Sequence, residues 1–168
     1  MVILPPVVHV ISTEWIAQRL MAAAPDFVID GYPEYVTDAG KLDSDQRFLL
    51  YKAASAIVRS FGGDTHVCAC LVVGHADTAH RVPIATRAPF ELDVSRKRAK
   101  SAADALRSEM NRLSQDAHFT KVLPFRVQGV ASSRLRIQNA KTEVDMRKNR
   151  RVEITFGFCT EPPPNCGT

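Results

Sequence analysis

The sequence has few aromatic residues and no apolar run long enough to cross a bilayer. Aromatic side chains make up 7% of the 168 residues, with one tryptophan, and they are not interleaved with basic residues. A surface that stacks the bases of single-stranded nucleic acid is therefore not expected. The longest apolar stretches fall far short of a membrane-spanning helix, so the sequence predicts no transmembrane segment.

The beginning of the sequence lacks the features of a secretion signal. Residues 1–11 contain Pro5 and Pro6 but no lysine or arginine, and Arg19 lies where a signal would still be apolar. No cysteine near the start offers a site for a lipid anchor. Taken alone, these residues favour a cytoplasmic protein, a shortened sequence, or export by another route.

Cysteine is scarce, and its spacing leaves the pairing open among Cys68, Cys70, Cys159 and Cys166. Cys159 and Cys166 flank a proline-rich turn, where a disulfide and two free thiols are equally compatible with the sequence. Cys68 and Cys70 lie on one face of a predicted strand with His66, an arrangement that lacks the fourth ligand of a zinc site. Packing or a disulfide is favoured there, and no metal or cofactor is expected.

The composition is that of a globular protein with a mildly basic charge. Hydrophobic residues make up 45% and charged residues 24%, which is ordinary for a folded domain, and the net charge is +4. Such an excess suits a nucleic acid, a membrane surface or an anionic wall polymer without choosing among them. The basic segment Arg147–Arg151 resembles a nucleic-acid-binding patch, but no aromatic residues accompany it, and nucleic acid is not expected as a partner.

The hydrophobic pattern predicts one α/β unit in the order βαβαβ-α-β, a two-layer sandwich in which helices pack on one face of a mixed sheet. The predicted strands and helices are Phe27–Val36 (interrupted at Gly31 and Pro33), Asp43–Ser60, His66–Val73, Asp93–Leu113, Val122–Val130, Glu143–Lys148 and Arg151–Phe158. Asp43 and Gln46 have the spacing of a capping box. We expect a helical arm over residues 1–26, the domain over 27–158 and a cysteine- and proline-rich tail over 159–168.

Three polar segments, each at the end or start of a predicted element, carry the functional argument. The first, Gly74–Thr78, follows a strand and contains Asp77. The second, Leu92–Ala99, opens a helix after a long predicted loop from His75 to about Asp93. The third, Asn149–Ile154, leads into the last strand.

These segments predict a receptor for a small zwitterion. Ser95 and Arg98 are expected in the first helical turn, where free amide groups and the guanidinium would hold a carboxylate. Asp77 would hold an ammonium group, and Thr78 is a further expected contact. No nucleophile with an adjacent base is present in this set, so binding rather than catalysis is indicated, and no catalytic residue is assigned.

The three segments resemble the C-terminal domain shared by OmpA, the peptidoglycan-associated lipoprotein and the flagellar stator protein MotB. That family has a Gly-His-Thr-Asp type turn, a helix opening Leu-Ser-x-x-Arg-Ala, and a closing Asn-Arg-Arg-Val-Glu-Ile strand. Here the matching segments are Gly74–Asp77, Val94–Ala99 and Asn149–Ile154. The resemblance covers roughly residues 27–158, and it implies that Arg150 and Arg151 brace the fold or the rim of the site.

The resemblance implies non-covalent binding of peptidoglycan by a non-enzymatic domain of the periplasm or cell envelope. In the family, the matching aspartate and arginine clasp the diaminopimelate of the wall's stem peptide, and these roles fall to Asp77 and Arg98. A family asparagine is replaced by Glu91, which puts a negative charge beside the expected carboxylate site. Envelope proteins are expected as further partners, and the sequence carries no signal for an oligomeric state.

Two other functions are compatible with the same residues. Glu91, the long loop and the start of the chain also suit a module that kept the fold, lost the wall ligand and serves as a scaffold. A metal-dependent hydrolase using His75 and Asp77 is less favoured, since a hydrogen-bonded structural role explains His75 better.

Overall fold

The computed structural model describes residues 20–114 and 123–160, which form a four-stranded sheet with three α-helices. The elements in chain order are β1 (Phe27–Ile29), α1 (Ser44–Ser60), β2 (His66–Gly74), α2 (Ile84–Leu113), β3 (Phe125–Gly129), α3 (Glu143–Asn149) and β4 (Val152–Cys159), with a single 3-10 turn at Ala39–Lys41. The predicted element order and the two-layer α+β class are confirmed.

The sheet is mixed, with strand order β1-β4-β2-β3. β4 runs antiparallel to both β1 and β2, whereas β2 and β3 are parallel. The carboxyl ends of β2 and β3 therefore meet at one edge of the sheet, where Gly74 lies opposite Gly129. The polar segment that contains Asp77 begins at this edge.

The hydrophobic core lies between the sheet and the two long helices, α1 and α2. Buried side chains of the sheet and of both helices form one cluster, which includes Ile29, Ile57, Cys70, Val72, Ala102, Leu106, Met110 and Ile154. Each of these is essentially inaccessible to solvent. Burial of this apolar surface is the main source of the domain's stability.

Helix α1 begins where its local sequence predicts. The Asp43 side chain accepts a hydrogen bond from the Gln46 amide at 2.9 Å, and the Gln46 side chain accepts one from the Asp43 amide at 3.0 Å. This capping box satisfies amide groups that a helix start leaves free. The buried face of the helix consists of Gln46, Leu50, Ala53, Ala54 and Ile57.

The prediction that a loop extends to about Asp93 is wrong, because α2 already begins at Ile84. Pro89 lies inside this helix, at its sixth residue. A proline at this position lacks the N–H that would donate to the Ala85 carbonyl, so the helix is without one hydrogen bond near its start. The first nine residues of the helix, 84–92, were missed because the segment contains Pro89 and has no regular apolar face.

The strand bounds near the cleft also differ from the expectation. β1 ends at Ile29, and the expected continuation over Tyr32–Val36 is irregular, with a positive φ of 82° at Gly31 and of 60° at Tyr35. β3 covers Phe125–Gly129, so it ends one residue before the predicted end at Val130, while the predicted start at Val122 lies outside the described residues. Much of the predicted arm, and nearly all of the predicted tail, lie outside the described residues.

A disulfide links Cys68 to Cys159, the pairing that the sequence left open. It joins β2 to β4 beside the point where His66 pairs with Cys159 and the register shifts. Cys159 is therefore not bonded to Cys166, and Cys68 is not available as a zinc ligand. Cys70 is a buried free thiol, and burial raises its pKa.

The described residues contain no helix that is both long enough and apolar enough to cross a membrane. They also contain no cluster of three or more histidine, cysteine and acidic side chains arranged to hold a metal ion.

Candidate functional site

Asp77 lies just beyond the end of β2, on a segment that hydrogen bonds hold in place from both sides. The amide of His75 donates to the carbonyl of Arg151, and the amide of Ala76 donates to the carbonyl of Ala131, both at 2.9 Å. These bonds extend the sheet for two residues past Gly74. The half-buried Asp77 side chain therefore projects from a fixed backbone.

Asn149 orients the Asp77 carboxylate. Its Nδ2 donates to Asp77 Oδ1 at 3.0 Å and to the Ile137 carbonyl at 2.9 Å, while its Oδ1 accepts from the Ile137 amide at 2.8 Å. Asn149 is fully buried, so its amide cannot rotate freely between partners. The residue was noticed only as part of the third segment, because a contact across 72 residues leaves no local signal.

Arg98 is 1% exposed, and most of its hydrogen bonds go to the protein backbone. Nε donates to the Val36 carbonyl at 2.8 Å, Nη1 to the His75 carbonyl at 3.0 Å and Nη2 to the Pro33 carbonyl at 3.3 Å. These bonds use three of the five N–H groups of the guanidinium. Arg98 therefore joins α2 to the segment after β1 and to the segment that carries Asp77.

The charge of Arg98 acts within the same site as that of Asp77. Burial and the nearby charge of Arg150 outweigh the opposing effects of Tyr32 and Asp77, so that the pKa of Arg98 is lowered to about 10. The guanidinium stays protonated at neutral pH, since its pKa remains well above 7. The guanidinium carbon Cζ of Arg98 lies 5.5 Å from the centre of the Tyr32 ring. This cation–π contact compensates part of the hydration that the guanidinium loses on burial.

Two glycines set the position of α2 over the strand ends. A Cβ atom at Gly74 would lie 1.9 Å from the Ser95 carbonyl oxygen, and one at Gly129 would lie 2.6 Å from the Arg96 backbone nitrogen. Only a residue without a side chain permits this approach of helix and sheet. The approach brings Arg98, one turn after Ser95, within reach of the His75 carbonyl.

Ser95 and the helix amides do not have the places expected from the sequence. Because α2 begins at Ile84, Ser95 and Arg98 lie several turns inside it, where the amide groups are already bonded within the helix. Ser95 is fully buried, donates to the Leu92 carbonyl at 2.9 Å and accepts from the Ala131 amide at 3.0 Å. Its hydroxyl therefore links α2 to the segment after β3 and is not part of the cleft lining.

Glu91 is a buried carboxylate at the wall of the cleft. Its Oε1 accepts from the Ala79 amide at 2.7 Å, and its Oε2 accepts from the Ser132 hydroxyl at 2.5 Å. It thus supports the segment that follows Asp77 while facing the cleft. Thr78, which is half-buried, also lines the cleft.

His75 lies behind the site rather than in it. The ring is fully buried, and its Nε2 is 3.0 Å from Glu153 Oε2. Glu153 also accepts from Arg151 Nε at 2.7 Å. Burial opposes ionisation of Glu153, but the hydrogen bonds and charges of His75 and Arg151 outweigh it and lower its pKa to about 2.

Asp77, Thr78, Glu91 and Arg98 all line one cleft of about 160 Å³. The remaining lining residues are Glu34, Tyr35, Ala76, Ala79, His80, Arg81, Phe90, Val94, Glu143, Met146 and Arg150. The rings of Tyr35 and Phe90 meet edge to face, with their centres 5.4 Å apart, and form an apolar wall. The sequence did not point to these two residues, since Phe90 was expected in a loop and Tyr35 in a strand.

Arg150 lies at the border of the cleft and is 4% exposed. Its Nε donates to the Tyr32 carbonyl at 2.8 Å, and its Nη2 donates to Glu143. Arg150 therefore joins α3 to the segment after β1, and its charge is balanced inside the protein. The arrangement offers a ligand one oriented carboxylate, one partly engaged guanidinium and an apolar wall.

Neither a protein-family model nor a curated protein sequence matches the chain. Solved structures do match. The cell wall anchor of the T6SS from Pseudomonas aeruginosa is 22% identical with a TM-score of 0.51, and the match covers 77% of this chain and 78% of that one.

Two further solved structures have the same relationship to this chain. The peptidoglycan-associated lipoprotein from Burkholderia pseudomallei is 15% identical with a TM-score of 0.51, and 77% of this chain and 89% of that chain are covered. The OmpA-like domain of FopA1 from Francisella tularensis is 15% identical with a TM-score of 0.51, and coverage is 77% and 73%. At these identities the likeness shows a shared fold.

Proposed function

Since the chain has the OmpA-like fold, we propose that it binds peptidoglycan non-covalently and without catalysis. It does so through the diaminopimelate of the stem peptide, and it thereby anchors an envelope protein or complex to the wall. Asp77 binds the ammonium group of diaminopimelate. The N–H groups of Arg98 that are not bonded to backbone carbonyls contact the neighbouring acid group. Thr78 lies beside Asp77 in the same cleft and adds a polar contact.

The observation that carries this proposal is that Asp77 and Arg98 line a single cleft although they are 21 positions apart in the sequence. Asn149 holds one oxygen of Asp77, so the carboxylate is oriented before a ligand arrives. A preoriented charge loses little conformational entropy on binding, which favours affinity. The apolar wall of Tyr35 and Phe90 suits the methylene chain of a diamino acid.

Two of the structures that share the fold support the same function by their names. One is described as a cell wall anchor, and the other as peptidoglycan-associated. A wall-binding domain of this kind works in the periplasm or cell envelope, with peptidoglycan as its partner. Cofactors and catalytic residues have no part in the proposed activity.

The test is co-sedimentation of the full chain with purified sacculi that contain diaminopimelate. We expect the unmodified protein to pellet with the sacculi, and Asp77→Asn to bind at least tenfold more weakly, because an amide cannot pair with an ammonium group. Asp93→Asn is the matched control, since Asp93 is an exposed carboxylate paired with Lys97 on α2. Equal sedimentation of wild type and Asp77→Asn would remove Asp77 from the site.

Arg98 needs a separate experiment, because its removal affects the fold. Arg98→Ala leaves three backbone carbonyls without their donor and opens a cavity under Tyr32, so we expect the free energy of unfolding to fall by about 2 to 4 kcal/mol. Urea denaturation measures this, with the exposed neighbour Arg96→Ala as control. Unchanged stability in Arg98→Ala would contradict the structural part of its role and leave only the ligand contact.

A second candidate is a scaffold module that has the fold but does not bind the wall. The engagement of Arg98 by the backbone and the negative charge of Glu91 favour this alternative. The unmodified protein separates the two, because a scaffold stays in the supernatant when the sacculi are pelleted.

A further inference from the structure

The described residues that line the cleft carry more negative than positive charges. Four acidic side chains face three arginines, and they are Glu34, Asp77, Glu91 and Glu143 against Arg81, Arg98 and Arg150. Charges that face a cavity of this size act on whatever group enters it, because little water screens them.

Two of these charge pairs are neutral within themselves. Arg81 Nη1 lies 3.7 Å from Glu34 Oε2 at the exposed mouth of the cleft. Arg150 donates to Glu143 at its border. Each pair has no net charge of its own.

Of the remaining three charges, Asp77 and Arg98 oppose each other. The charge of Asp77 raises the pKa of Arg98, so the two interact across the site. One negative charge, that of Glu91, is therefore left over.

Glu91 has no cationic partner among the described residues. Both of its oxygens accept hydrogen bonds from neutral donors, the Ala79 amide and the Ser132 hydroxyl. The residue is 4% exposed, so water screens its charge poorly. An acid group of a ligand would be repelled here, whereas an N–H donor would be attracted.

We propose that the cleft selects a diamino residue whose ammonium group is not accompanied by a free carboxylate. Two sources have this chemistry: diaminopimelate with its acid group converted to a carboxamide, and lysine. Asp77 binds the ammonium of either. In the first, the carboxamide oxygen accepts from the same Arg98 N–H groups that contact the acid group of unmodified diaminopimelate, and the carboxamide N–H donates to Glu91, so amidation removes only the repulsion by Glu91. This selectivity rests on the proposed wall binding and specifies which wall chemistry the site accepts.

The experiment compares three soluble stem peptides that are identical except for the diamino residue, which is diaminopimelate, its monoamide or lysine. Titration calorimetry with the full chain is expected to give about tenfold tighter binding of the monoamide and the lysine peptide than of the free acid. Monoamide above lysine indicates that the carboxamide donates to Glu91, and equal affinities indicate that absence of the carboxylate is sufficient. Both results support the proposal.

Glu91→Gln removes the charge and keeps the shape of the side chain. In this variant we expect the affinities for the three peptides to differ by no more than about threefold, because the unpaired charge of Glu91 causes the roughly tenfold preference of the unmodified protein. Ser132→Ala is the matched control, because it removes a hydrogen bond of Glu91 but leaves its charge, and the preference should remain. If Ser132→Ala reduces the preference among the three peptides as much as Glu91→Gln does, the preference depends on the position of the segment that contains Ser132 and not on the charge of Glu91. That result would overturn the proposal.

Two other outcomes are decisive. If the unmodified protein binds the free acid as tightly as the monoamide, or more tightly, the selectivity is wrong while the proposed wall binding stands. If none of the three peptides binds and the protein does not sediment with sacculi, the proposed function is wrong, and the proposed selectivity is wrong with it.

Discussion

At the scale of single residues, Asp77, Thr78, Glu91 and Arg98 are the predicted positions that the structure brings to one cleft. Their residue types and the motifs around them predicted that they lie together. How Arg98 is held was not predictable, because its carbonyl partners at Val36 and Pro33 are 62 and 65 positions away. A side chain expected to point at a ligand is thus also a structural link between three segments.

Ser95 shows the opposite outcome at the same scale. Its position in the motif suggested a ligand contact, but the close approach of α2 to Gly74 and Gly129 buries it. Two glycines at the ends of neighbouring strands are the only signal in the sequence for that approach. The signal is weak, since a glycine also ends strands for other reasons.

Glu153 gives the domain a dependence on pH that is separate from ligand binding. Its pKa is about 2 in the folded protein and 4.5 ordinarily, so the ionised form stabilises the fold above pH 4.5. We expect Glu153→Gln to lower the free energy of unfolding by about 2 to 3 kcal/mol at pH 7. The difference from wild type should shrink below pH 4.5 and largely vanish near pH 2, as measured by urea denaturation across that range.

The control for this prediction is Asp93→Asn, which removes an exposed carboxylate. Its ion pair with Lys97 lies on the surface, so a change within about 0.5 kcal/mol is expected at every pH. A Glu153→Gln deficit that stays constant from pH 7 to pH 2 would show that the side chain acts through packing and not through its charge.

At the scale of the elements, local signals predicted well wherever the hydrogen bonds are local. The capping box of Asp43 and Gln46 fixed the start of α1 within one residue. The start of α2 was missed because Pro89 suggested a loop, while the contacts that hold the first turns of α2 are non-local, such as the bond between Glu91 and Ser132. A helix start without a side-chain cap offers little for sequence reasoning to find.

The contact between α2 and the sheet predicts a strong effect of a single methyl group. Gly74→Ala would place Cβ 1.9 Å from the Ser95 carbonyl oxygen, a backbone atom that can move only if the helix moves. We expect the free energy of unfolding to fall by about 3 kcal/mol or more, because a clash with a backbone atom cannot be relieved by the movement of a side chain. Urea denaturation measures the loss.

Gly62→Ala is the matched control, because the nearest atom to its added methyl is 4.0 Å away. A change within about 0.5 kcal/mol is expected there. Equal stability of Gly74→Ala and wild type would mean that α2 does not lie as close to the strand end as described.

At the scale of the whole molecule, the order of strands and helices was predictable, but the pairing of strands was not. Hydrophobic alternation shows that a strand exists and which residues share a face, and it contains nothing about which strand lies beside it. The position of β4 between β1 and β2 had to come from the structure. The disulfide between Cys68 and Cys159 was undetermined for the same reason, since it joins two strands whose pairing was unknown.

The disulfide and the cleft lie at opposite ends of β2. The effect of the disulfide on the stability of the domain can therefore be measured separately from ligand binding in the cleft. Cys68 is six residues before Gly74, a distance of roughly 20 Å along an extended strand. The bridge closes a loop with a sequence separation of 91 residues, so its loss is expected to lower the free energy of unfolding by about 4 kcal/mol. The double variant Cys68→Ser with Cys159→Ser should show this loss in urea, while a reducing agent should destabilise only the wild type.

Because Asp77 and Asn149 lie at the far end, sacculus binding of the folded double variant should equal that of wild type. A parallel loss of binding would show that the end of the sheet bearing Asp77 depends on the bridge at the other end.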